Sequence, residues 1–154
     1  MRENLVFTLL WLFAAPAWTQ TAPSEWRVVK DSKSACQIGV PPEWVPLTDS
    51  AGAAVFQDAT TAIAIVTSQP GQAFKPMPEF LQKLLDIPKG KMFENTAKRI
   101  FYQDKVAKTA EETNAYSASV PGKTGTCSCR VVFHSSVTED TAKKIVFSLG
   151  ALPE

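Results

Sequence analysis

Short runs in which apolar and polar residues alternate recur along this chain, and most of the links between them are too brief to hold a crossover helix. Cys36–Val40, Ala53–Gln57, Thr61–Thr67, Arg99–Val106, Asn114–Val120 and Gly125–His134 have the length and the period-two pattern of β-strands. Asp58-Ala59-Thr60 joins the second to the third as a hairpin turn. Lys108–Thr113 and Pro121-Gly122 join the last three into a meander. Parallel neighbours need a crossover of about a dozen residues or more, so antiparallel pairing is expected. Trp26-Arg27-Val28-Val29 adds a short edge strand or an arm. Pro41-Pro42 closes the first firm strand, because proline donates nothing to a ladder.

Two stretches carry a helical period instead. Pro78 occupies a first helical position ahead of Glu79–Asp86, with Phe80, Leu81, Leu84 and Leu85 on one face and Pro88 as the stop. The second helix has Thr138 as N-cap and Glu139-Asp140 to complement the dipole. Its buried face is Ala142, Ile145, Val146 and Leu149, and Gly150 stands at the C′ position. Each amphipathic helix is expected to cover sheet surface. The expected class is α+β, an antiparallel sheet of about six strands flanked by helices. A Pro/Gly-rich connector, Gln69–Pro78, leads into the first helix.

Ahead of this pattern lies an address. Met1–Arg2 supplies positive charge, Leu5–Ala15 is an unbroken run broadly apolar in character, and Ala15-Pro16-Ala17 offers small residues at a cleavage site. That is the layout of a secretory signal peptide cleaved after Ala17. A spanning helix needs ~20 predominantly apolar residues, and this run is shorter before it meets Pro16 and Thr19-Gln20-Thr21. The later Ala59–Val66 is short and alternating, so no membrane span is expected. Residues 18–33 form an N-terminal arm, and 34–152 form one globular domain. The expected location is secreted or periplasmic. With a formal net charge of +1, the chain lacks the basic excess of a nucleic-acid binder. The lysines and arginine of Lys89–Lys108 read as a solvated strand face followed by Glu111-Glu112.

Export changes how Cys36, Cys127 and Cys129 are read, since thiols outside the cytoplasm meet disulfide-forming conditions. Cys127 and Cys129 are two apart in a strand and share a sheet face. A bridge from Cys36 to one of them would close a loop of about 90 residues, worth ~4 kcal/mol in the chain-entropy model. The remaining cysteine is either buried and inert or free to pair with another chain. The alternative is a redox or metal site built from Cys127, Cys129 and His134. Zinc sites space their cysteines by two to four residues, whereas Cys-Ser-Cys has one between, and His134 has the opposite strand parity. No Cys-x-x-Cys is present.

A strand ending in Val40-Pro41-Pro42-Glu43-Trp44 resembles the start of the PsbP-like superfamily. The helix after the first hairpin, the meander, the Gly125-Thr126-Cys127 strand and a last helix ending Phe147-Ser148-Leu149-Gly150 are also similar. The likeness runs from about Ser34 to Leu152. It implies an α/β/α sandwich and a non-enzymatic role, such as that of an accessory subunit or an exported protein. It carries over no metal site and no partner-binding residue.

Catalytic signatures are sparse. The single histidine would have to serve any Ser-His-Asp or Cys-His system, and no Gly-x-Ser-x-Gly elbow occurs. Gly122-Lys123-Thr124 resembles the end of a phosphate-binding loop, but Ser117 stands where that loop needs glycine, so it reads as a turn. No catalytic residue, cofactor or metal ligand is assigned. The partner-facing candidates are Trp44, Phe74 and Met77, exposed aromatic and apolar groups being common interface anchors. The competing role for Trp44 is to plug one end of the core. The expected function is an exported, non-catalytic module, monomeric, that binds a protein partner or a small ligand. A structural accessory of an envelope complex is a further reading.

Overall fold

The structure is a computed structural model that describes residues 25–33, 35–47, 53–59, 62–104, 114–133 and 139–151. The signal segment 1–17, the turn Lys108–Thr113, the cap Thr138, and His134 and Leu152 lie outside the described residues. In chain order the elements are β1 (Arg27–Lys30), β2 (Cys36–Val40), β3 (Val45–Leu47), β4 (Ala53–Gln57) and β5 (Ile63–Pro70). Then come α1 (Glu79–Leu84), β6 (Met92–Asn95), β7 (Ile100–Asp104), β8 (Asn114–Pro121), β9 (Gly125–Phe133), α2 (Glu139–Phe147) and β10 (Gly150–Ala151). The α+β class and the antiparallel pairing are as the sequence pattern implies.

The strands divide between two sheets. Seven run in the order β3-β4-β5-β9-β8-β7-β6, and three form a smaller sheet, β1-β2-β10. The larger sheet therefore exceeds the expected six strands by recruiting β3 and β6, while β2 leaves it for the smaller one. Register fixes which face is buried. Val66 lies opposite Cys129 and Ala64 opposite Val131, while β8 sets Ala118 against Cys129 and Tyr116 against Val131. All six are at most 2 % exposed. The period of two thus sends one row of each strand inward.

Helix α2 closes this core, packing on β8, β9 and β2, while β2 lies over β5 and β9. Its expected face is the one it buries: Ala142, Ile145, Val146 and Leu149 are each 4 % exposed or less. Gly150 does not act as a left-handed C′ residue; it opens β10 and pairs with Gln37. Ser148 secures the exit, accepting from the Gly39 amide at 2.7 Å and donating to the Ile145 carbonyl at 2.6 Å. Phe101 joins an aromatic cluster, its ring tilted against Phe147 at 4.7 Å and against Tyr116 at 5.6 Å.

Helix α1 departs from expectation. It has six residues and buries none of them, and Phe80 and Leu84 are 67 % and 75 % exposed. Its apolar face does not cover the sheet. Pro88 is also not what ends it. The amide of Ile87 reaches the Gln82 carbonyl and that of Asp86 reaches Lys83, with Asp86 at φ 50°. That is a Schellman turn made by aspartate in place of the usual glycine.

Candidate functional site

Two groups of residues give this fold its character: a staple between the sheets and a groove at one end of the larger sheet. The staple is the disulfide between Cys36 on β2 and Cys127 on β9, with Cα atoms 5.6 Å apart. It selects Cys127 from the two same-face cysteines. Cys129 stays a buried free thiol, and burial pushes its pKa up to about 12, so it is a poor nucleophile and a poor metal ligand. Among the described residues no three His, Cys, Asp or Glu side chains gather as metal ligands.

Asp31, in the β1–β2 turn, reinforces the staple. Its carboxylate accepts from the amides of Ala35 at 2.7 Å and Cys36 at 2.8 Å, and from the Ser68 hydroxyl at 2.6 Å. Ser68 faces Cys127 across the β5–β9 ladder, so this contact and the disulfide tie the same two strands to the β1–β2 hairpin. Burial works against the charge on Asp31. The hydrogen bonds from Ser68 and from the amides of Cys36, Ala35 and Lys33 outweigh it and hold the carboxyl below its ordinary range.

The groove is built by the connector after β5. Gly71, at φ 76°, turns the chain away from the ladder, and its amide donates to the Thr124 carbonyl at 2.7 Å. The Thr126 hydroxyl donates to the Gln72 carbonyl at 2.8 Å. Farther on, Asn95 of β6 clamps Met77, accepting from its amide at 2.7 Å and donating to its carbonyl at 2.9 Å. The connector is thus pinned at β9 and again at β6, which stand three places apart in the sheet. Between the pins, Ala73 and Phe74 form one wall. The turn Pro121–Gly125 and Ala97 of the β6–β7 turn form the rest.

This opening has a volume of about 410 Å³. That falls within the ~300–1,000 Å³ typical of ligand sites. Gly125 permits its construction, because a Cβ there would stand 2.0 Å from the Gln69 carbonyl oxygen. The one titratable side chain in the lining is Lys123. The lining therefore offers apolar surface, a hydroxyl and one cation, but no acid–base pair for proton transfer. A second, much smaller cavity of about 10 Å³ lies beside the disulfide, lined in part by Cys36, Ser68 and Cys127. It has room for about one water.

The three partner-facing candidates separate. Trp44 is 2 % exposed and belongs to the core cluster, the plug role considered for it. Its carbonyl accepts a hydrogen bond from Arg27. Phe74 is half-buried in the groove wall, whereas Met77 is half-buried outside the lining and held through its backbone. The sequence reading missed Asp31, Asn95 and Ala97. Asp31-Ser32-Lys33 carries a turn signal, but nothing local marks Asn95 as the clamp on a segment eighteen residues earlier.

These features define an antiparallel α+β domain with a stapled pair of sheets and an open groove. In fold the chain is similar to a protein from Bacteroides thetaiotaomicron VPI-5482 solved by crystallography, with a TM-score of 0.61 and 10 % sequence identity. The match covers 84 % of this chain and 50 % of that one, so this chain spans half the length of the solved protein. No family model matches the chain, and no curated protein matches it.

Proposed function

We propose that this chain is an exported, non-catalytic binding module, monomeric, that holds a protein segment or small ligand in the groove beside Phe74. The groove itself carries this reading: it joins an aromatic wall to a Gly-rich turn and lacks paired proton-transfer groups. The disulfide suits an oxidising compartment, which supports the signal-peptide reading of residues 1–17 and a secreted or periplasmic location. Among the described residues no helix is long and apolar enough to cross a membrane. The PsbP-like likeness belongs to the same proposal, on the Val40–Trp44 segment and the terminal helix, with the uncovering of α1 as its main departure.

Capture from a native envelope extract tests the proposal. The wild-type chain should retain a component that Phe74→Ala loses, with both proteins unfolding at the same temperature. Retention by both proteins alike, or by neither, would remove the groove as the binding surface.

A further inference from the structure

Lys123 stands apart from the other residues of the groove beside Phe74. It supplies the only charge in the lining, and no carboxylate shares the opening with it. Among the described residues its ammonium forms no ion pair, and the hydroxyl of Thr124 is taken by no hydrogen bond. Other lysines do find partners: Lys83 bridges Glu79 at 2.8 Å and Lys143 bridges Glu139 at 2.7 Å. The turn that carries Lys123 and Thr124 is itself fixed. The Gly122 amide donates to the Gly125 carbonyl at 2.7 Å, and the Thr124 carbonyl accepts from the Gly71 amide at 2.7 Å. Cation, hydroxyl and the half-buried Phe74 ring therefore line one opening of about 410 Å³. A concave surface whose charges are all of one sign draws in a ligand of the other.

We infer that the groove takes a small carboxylic acid, its carboxylate at Lys123 and Thr124 and its apolar body against Phe74. This rests on the reading of the groove as a binding surface and adds the class of ligand. One cation balances one negative charge. A phosphate ester, with a charge of about −1.5 to −2, would be left partly uncompensated there. An amine would meet the lysine with like charge. The opening also stands near the small end of the ~300–1,000 Å³ typical of ligand sites. It suits an acid built on one ring or a short chain, and Phe74 is the aromatic surface in the lining for that body to cover.

The experiment is an NMR titration of the mature chain, which begins at Trp18 and retains every described residue. The probes are 3-phenylpropionate, its neutral amide 3-phenylpropanamide, and phenyl phosphate. The acid should shift the amide signals of Phe74 and Lys123–Gly125 saturably, and the neutral amide should bind at least about fivefold more weakly. Lys123→Gln should weaken the acid by the same factor and leave the neutral amide unchanged, whereas Lys123→Arg should keep the acid bound. Melting temperatures should stay the same, since Lys123 is exposed. Absence of a saturable shift with the acid would overturn the inference, as would equal binding of the acid by Lys123→Gln or tighter binding of phenyl phosphate. Equal binding of acid and neutral amide in the groove would also overturn it, while leaving the groove as a binding surface. A component captured from the envelope through Phe74, with no acid bound, would do the same.

Discussion

Asp31 is the only charged residue among the described ones to be buried, at 2 % exposure. An unpaired carboxylate in that position would be costly, and four hydrogen-bond donors converge on it instead. Its folded-state pKa lies below the ordinary value. The stabilisation is therefore complete above the unfolded carboxylate pKa of about 3.9 and is lost as pH falls through the lower folded value. Asp31→Asn should cost about 1.5–3 kcal/mol at pH 7 in urea denaturation and should flatten the acid limb of the stability curve. An unchanged acid limb would show that other carboxylates govern it. Gly125 makes a separate prediction. With the Gln69 carbonyl oxygen 2.0 Å from a built Cβ, Gly125→Ala should cost about 1–3 kcal/mol through displaced backbone, measured the same way.

The elements differ in how strongly they are held. α1 has no buried residue, one exposed i,i+4 ion pair and an Asp86 turn at positive φ, whereas β5 and β9 pair along eight positions. Amides of Leu81–Leu85 should exchange with solvent at least about a hundredfold faster than those in the centre of β9. Equal protection would mean that α1 is packed against something. The same contrast explains what the sequence revealed. Strands that alternate over five or more residues were legible because one row of side chains must be buried. The short ones were not: Val45-Pro46-Leu47 contains proline, Met92–Asn95 carries a register shift, and Gly150-Ala151 is two residues long. The face of α2 was legible because it is packed, and that of α1 misled because amphipathicity does not specify what covers a helix. Phe74 and the Gly122-Lys123-Thr124 turn each stood out locally. Their meeting depends on the order β5-β9-β8-β7-β6, a long-range property that no local pattern encodes.

At the scale of the whole molecule, two sheets and one helix enclose a single core, and the Cys36–Cys127 bridge joins the sheets across a separation of 91 residues. A loop of that size is worth about 4 kcal/mol through the unfolded chain. Cys36→Ala/Cys127→Ala should lower stability by that order in urea denaturation while leaving the strand pairing intact. Cys129, with its raised pKa and full burial, should take no part in exchange while the chain is folded. Mass spectrometry of protein recovered from outside the cytoplasm tests the proposed export and the Cys36–Cys127 bridge together and most directly. The chain should begin at Trp18. Alkylation of the unfolded, unreduced protein should label one thiol, at Cys129, and reduction should expose Cys36 and Cys127 as well. A chain retaining residues 1–17 in the cytoplasm, or three thiols labelled before reduction, would contradict them.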